Sequence, residues 1–207
     1  MPLIPGCINS NETVKMSDTF QMDNFSWYEY RSLNSKLGDM NGQVYPTVDY
    51  KLQFGSGYFN GTPAKHVSMV QSYGNISYVQ NFYWNMAGDM MLGGNWSRFE
   101  DGKLILEQNY SGQQSQYQDN ANLLFSAYWN QTLVKVGKDN LMLNGTQYNC
   151  DKYRWDADNH EHLLWDDPAV PVPLKIYVPD TNETLELINW VNPNFILCLG
   201  GLFRYPD

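Results

Sequence analysis

The 207-residue chain is short of basic residues, histidine and cysteine. Thirteen Lys and Arg stand against 22 Asp and Glu, a formal net charge of −9. That balance repels phosphate backbones and anionic lipid surfaces, so no nucleic-acid partner is expected. No membrane span is expected either, because no apolar run reaches the ~18 residues it needs. The best stretch, Leu187 to Phe203, is interrupted by Asn189, Asn192, Pro193 and Asn194. Phosphate-binding Gly-rich loops, dinucleotide fingerprints and Gly-x-Ser-x-Gly elbows are all missing, which removes the commonest enzyme signatures. Cys7, Cys150 and Cys198 are the only cysteines. They permit one disulfide, in any of three pairings, and leave one thiol over. A disulfide-dense scaffold is thereby excluded, so a hydrophobic core must hold the fold. Hydrophobic residues at 43% suffice for one and exclude a disordered chain.

Asparagine is abundant, and its placement is informative. Asn-x-Ser/Thr occurs at Asn11, Asn24, Asn60, Asn75, Asn95, Asn109, Asn130, Asn144 and Asn182, never with Pro in the middle. With 22 Asn and 21 Ser plus Thr, chance would give about two such matches. The excess predicts a eukaryotic secretory-pathway protein, extracellular or lumenal, that carries N-linked glycans. Several sites lie beside glycine in turn-like neighbourhoods, where a bulky sugar can be accommodated. The N-terminal Met-Pro-Leu-Ile-Pro-Gly-Cys has no basic region followed by an apolar stretch. The expectation is therefore either a signal already removed or a fragment of a longer chain.

Period-two patterning dominates the chain. Val48, Tyr50, Leu52 and Phe54 alternate with Thr47, Asp49, Lys51 and Gln53. After a loop at Gly55-Ser-Gly and Asn60–Pro63 come strands around Val67–Tyr73 and Ile76–Trp84. Asp101-Gly102 marks a type I′ hairpin between Trp96–Phe99 and Leu104–Tyr110. Further runs are Leu123–Trp129, Leu133–Val136, Leu141–Leu143, Tyr148–Trp155, His162–Trp165, Leu174–Val178 and Leu185–Val191. The glycan rule sets facing independently, since a sugar-bearing Asn points outward and positions two away share its face. Asn75 then places Ile76, Tyr78, Phe82 and Trp84 inside. Asn109 does the same for Leu104, Leu106 and Tyr110, and Asn182 for Leu185, Leu187 and Val191. Asn130 conflicts with Val134 and Val136, which points to a bulge or a turn there. The prediction is an all-β fold, one curved antiparallel sheet forming a barrel or half-barrel over residues 41–199, with room for one or two short helices. Residues 1–40 read as irregular or partly helical, with a short helix around Asn24–Leu37. No linker or repeat divides residues 1–207, so one domain is expected.

Candidate chemistry is sparse. His160 and His162 share a strand face and are weak metal candidates, lacking an identifiable third ligand. A polar hairpin tip is the simpler account of Asp156–His162. His66 reads as a solvent-face or hydrogen-bonded histidine. No catalytic residue and no cofactor beyond glycans and a bound lipid is assigned. Aromatics at 15%, with nine Met, suggest an interior walled by large side chains around an apolar ligand. The expected lining is Tyr50, Leu52, Phe54, Met69, Tyr78, Gln80, Phe82, Trp84, Leu106 and Gln108. The two glutamines among them need partners.

The C-terminal half adds a resemblance. Asn144-Gly145 precedes Cys150, Tyr153 and Trp155; a polar turn leads to Leu163-Leu-Trp165-Asp166-Asp-Pro168; Val172-Pro173-Leu174-Lys175-Ile176 follows. This succession resembles that of secreted eukaryotic ependymin-related proteins, which share a curved antiparallel sheet with bacterial lipoprotein carriers of the LolA type. It extends over residues 47–198 by strand order and 144–176 by recognisable residues. The resemblance implies binding of a lipid or other hydrophobic ligand in a half-barrel pocket, without catalysis. A lipocalin implies the same activity, but its Gly-x-Trp near the first strand is absent. The leading expectation is a secreted, heavily N-glycosylated carrier of a lipid or other hydrophobic small molecule. The alternatives are a structural, storage or matrix glycoprotein with a filled core, a carbohydrate-binding β-sandwich, and a hydrolase.

Overall fold

The computed structural model describes residues 12–20, 27–35, 44–87, 90–111, 131–157 and 159–191. Its elements in chain order are β1 (Thr13–Lys15), α1 (Met16–Thr19), β2 (Trp27–Leu33), β3 (Thr47–Phe59), β4 (Thr62–Tyr73), β5 (Ile76–Trp84), β6 (Met91–Glu100) and β7 (Lys103–Ser111), followed by β8 (Thr132–Leu143), β9 (Thr146–Ala157), β10 (His160–Asp167), β11 (Val170–Val178) and β12 (Glu183–Val191). All strands join one 12-stranded antiparallel sheet, ordered β1-β8-β9-β10-β11-β12-β2-β3-β4-β5-β6-β7. The sheet curves but does not close, so the all-β half-barrel expectation holds. Two meanders, β2–β7 and β8–β12, meet where β12 pairs with β2, and β1 and β7 form the edges.

Local sequence accounts for the meanders. Asn60-Gly61, Asp101-Gly102 and Asn144-Gly145 all have φ between 49° and 79°. Both positions of each pair thus lie in the left-handed region that a two-residue hairpin turn requires, and Asn, Asp and Gly tolerate it best. Between these turns, the alternation of large apolar and polar side chains sets which face is buried. The central core joins Tyr28, Tyr30, Leu52, Leu174 and Leu187, with Cys150, Trp165 and Val172 buried in the same cluster. Full burial of a side chain such as Leu187 contributes about 1.5–3 kcal/mol. A second cluster lies where α1 places Met16 and Phe20 over Leu133, Tyr153, Trp155 and Leu164. In the β2–β7 arm, smaller clusters form around Phe82, Trp84, Met91 and Tyr110 and around Val48, Tyr73 and Ile76.

Several expectations are corrected. The predicted helix around Asn24–Leu37 is replaced, in its described part, by strand β2 at the middle of the sheet. Tyr28, Tyr30 and Ser32 are buried in alternation, which is a strand pattern with one small inward residue. The region 1–40 also contributes β1 and α1, so the sheet is not confined to residues 41–199. Gly55-Ser56-Gly57 is strand, not loop, and pairs with His66, Lys65 and Ala64. The Leu133–Val136 and Leu141–Leu143 runs are one strand, β8. Its bulge between Lys135 and Gly137 leaves Val136 exposed, in keeping with the register conflict raised by Asn130. Leu123–Trp129 lies outside the described residues. Among the described residues no helix is long and apolar enough to cross a membrane.

Candidate functional site: an apolar cavity across the β12–β2 seam

Register places the ten predicted lining residues on one face. Tyr30, Tyr50, Gln71, Tyr78, Arg98 and Leu106 are successive cross-strand partners from β2 to β7. Tyr28, Leu52, Met69, Gln80, Trp96 and Gln108 form the adjacent row, and Phe54, Val67, Phe82, Gly94 and Tyr110 the next. Trp84 lies further along β5 on the same face, opposite Lys65. The face follows from alternation alone; the cavity does not.

An apolar cavity of about 320 Å³ opens where the two meanders join. Tyr50, Leu52 and Met69 line it from one arm, with Tyr28 and Tyr30 beside them. Leu164, Ile176 and Leu185, cross-strand neighbours on β10, β11 and β12, line it from the other. Trp155 and His162, with Met16 and Phe20 of the α1 turn, add to the wall. Its volume falls in the range of small-molecule sites. Polar groups are few and held by protein partners. Glu183 accepts a hydrogen bond from Ser32 Oγ at 2.7 Å. The Gln71 amide donates to Tyr50 Oη at 3.4 Å. Burial, aided by the nearby Glu183 charge, raises the Tyr50 phenol above its ordinary value, so it stays protonated. Tyr30 donates its hydroxyl to the Pro173 carbonyl, and burial raises its pKa too.

The other predicted lining residues do not reach this cavity. Phe82 and Trp84 pack with Met91 and Tyr110 in a separate buried cluster. Phe54 packs on Tyr28, ring centroids 5.6 Å apart. Tyr78 lies between Tyr73 and Trp96. Gln80 and Gln108 do share a face, but Trp96 stands between them and donates its indole N–H to Gln108 Oε1 at 3.1 Å. Leu106 is 45% exposed. A bulge between Arg98 and Phe99 pairs them with Leu106 and Leu104, which skips Ile105 and sends Leu104 to the opposite face. The inward position predicted for Leu104 is therefore corrected.

The remaining candidates separate from the cavity or divide around it. His160 Nδ1 lies 3.0 Å from Asp180 Oδ2, whereas the His162 ring packs on Trp155 at 4.7 Å. Among the described residues no three ligating side chains converge as a metal site would require. His66 meets Asn81 Oδ1 at 3.0 Å and stacks on Tyr83. Cys150 is buried and free, and burial, with nearby Asp167 and Asp166, raises its thiol to about 11. Cys7 and Cys198 lie outside the described residues. Of the sequon asparagines, Asn60, Asn75, Asn109, Asn144 and Asn182 are exposed. Asn95 is half-buried and bonded to Asn81 and Glu107. Asn11, Asn24 and Asn130 are outside the described residues. A second depression, about 410 Å³, is lined by Phe59, Asn60, Gly94, Asn109, Tyr110 and Ser111. Two of its walls are sequon asparagines, so glycans there would occupy it.

Sequence reasoning missed the half of the cavity wall that β9–β12 and α1 supply. Strand alternation had marked Leu185 as inward, but only the β12–β2 pairing brings it to Tyr30 and Tyr50. Farther along β10, Asp166 is buried opposite Asp151, whose carboxylate takes the Lys135 ammonium at 2.8 Å. Burial first, then the Asp151 charge, raises Asp166 to about 6. Compared with known proteins, the chain matches no family model and no curated sequence.

Proposed function

We propose that this protein is a secreted, N-glycosylated carrier that holds a lipid or other apolar small molecule inside its half-barrel. The observation that carries the reading is the apolar cavity at the β12–β2 seam. A filled core would bring the rings of the two meanders together. Here Tyr50 and Leu52 of one meander and Ile176 and Leu185 of the other line a common apolar space of about 320 Å³, enough for a small ligand. The sequon excess supports passage through a secretory pathway, and the exposed positions of Asn60, Asn75, Asn109, Asn144 and Asn182 suit glycan attachment. Kinship with the ependymin-related and LolA-type carriers belongs to the same proposal.

The test is native mass spectrometry of the full chain secreted from eukaryotic cells, before and after organic extraction. The expected result is an extractable apolar adduct, reduced by Leu185→Trp, which fills the cavity. A protein that shows glycan masses alone, and binds no added apolar probe, would favour the filled-core glycoprotein instead.

A further inference from the structure

The carrier reading, on which this inference rests, leaves the ligand's polar end unspecified, and the cavity lining specifies it. Among the described residues that line the cavity, Glu183 supplies the only formal negative charge, and no Lys or Arg stands among them. The carboxylate is half-buried on β12 opposite Val178. Its Oε1 is fixed by the hydroxyl of Ser32, a residue with no exposed surface. A carboxylate has about four acceptor sites, so one serine bond leaves most of its capacity unused. The Tyr50 hydroxyl, close enough to feel the Glu183 charge, is already joined to Gln71, and the lining's other polar side chains are Tyr28, Tyr30 and His162.

The energetic asymmetry between ligand classes follows. An acid-headed amphiphile would bring a second anion toward the half-buried Glu183 carboxylate, with no Lys or Arg among the described lining residues to receive it. An ammonium head would find an opposite charge there, oriented in advance by Ser32. A hydroxyl head could donate a hydrogen bond without the charge term. We propose that the cavity selects amphiphiles with a protonated amine head, seated against Glu183, over carboxylate-headed ones of the same chain length.

Calorimetric titration of the full chain at pH 7 and low salt, with dodecylamine, dodecanol and dodecanoate each below its micelle concentration, tests this. The expected order is amine, alcohol, acid, with amine at least about tenfold tighter than acid. Glu183→Gln keeps an acceptor for Ser32 and should bring amine and acid within about threefold of each other. Ser32→Ala retains the charge and should retain the preference, which separates a charge effect from a folding defect. Equal binding of amine and acid, or tighter acid binding, overturns the head-group assignment while leaving the carrier reading intact. Binding of none of the three overturns both.

Discussion

The two ends of the sheet are built from similar strands and have opposite fates. At one end, β1 covers β8: Lys135 N–H donates to the Glu12 carbonyl at 2.8 Å and Met16 N–H to Gln131 at 2.9 Å. The α1 turn then lays Met16 and Phe20 over Leu133, Tyr153, Trp155 and Leu164, and all six are buried. At the other end, β7 ends the sheet, and Tyr110 is its only buried residue. Leu104 and Ile105 are each 54% exposed. Alternation therefore states which way a side chain points, not whether anything meets it there. A curved sheet buries its inner face only where a second layer or the opposite wall is near enough. One turn of helix supplies that layer, against the wall of the cavity.

The comparison is broken most directly at Phe20. Phe20→Ala should cost about 3–5 kcal/mol in urea unfolding, because it removes a fully buried ring from the contact between α1 and the sheet. It should also weaken retention of an apolar probe, since Phe20 forms part of the cavity wall. A loss below about 1 kcal/mol would show that α1 rests loosely on the sheet.

The packed arm also buries a carboxyl, which gives it a pH signature. The pKa of Asp166 is about 6 in the folded chain against an ordinary carboxyl value of ~3.9. A raised carboxyl pKa means the folded state holds the proton more tightly. Its stabilising contribution is complete below pH ~4 and is lost as pH rises through about 6. That contribution is at most roughly 3 kcal/mol. Asp166→Asn should flatten the stability profile between pH 4 and 6, read from urea midpoints. An unchanged slope would place Asp166 in contact with water.

How much of this was legible in the sequence depends on what each signal reports. Period two fixed the facing of Tyr50, Leu52, Met69 and Phe82 correctly, because it reports a local property of the strand. The hairpin at Asp101-Gly102 was equally local. The bulges could not be placed to the residue from the pattern: Ile105, Val136 and Ile188 each insert one residue and shift the parity beyond it. Strand β2 was hidden by its own composition, since inward Ser32 is small and Trp27 and Leu33 are apolar on the other face. Above all, the cavity arises from the pairing of β12 with β2, a contact between residues some 150 positions apart, such as Ser32 with Glu183. Local patterning carries no record of such a pairing, so only three of the lining residues were foreseen.

The β2–β7 arm is not loose throughout, and Gly94 sharpens that point. Its backbone lies against the Tyr110 ring, whose hydroxyl donates to the Asn81 carbonyl at 3.0 Å. A Cβ at Gly94 would stand 2.7 Å from Tyr110 Cζ and closer still to Asn81 O. Gly94→Ala should therefore cost about 1–3 kcal/mol by forcing the ring or strand to shift. Thermal unfolding would show it; a neutral outcome would mean that β6 and β5 part easily.

Leu106 gives the smallest effect and the strictest contrast. It occupies the same row as Tyr30 and Tyr50, on the face that sequence reasoning assigned to the interior. If that face were covered along its whole width, Leu106→Ser would expose a cavity and cost as much as other core truncations, about 2 kcal/mol or more. With nearly half of its surface in solvent, the substitution should stay within about 0.5 kcal/mol of the parent. The same change at Leu164, in the covered arm and 2% exposed, should be severe. The ratio of the two losses measures how far the second layer reaches across the sheet, independently of any ligand.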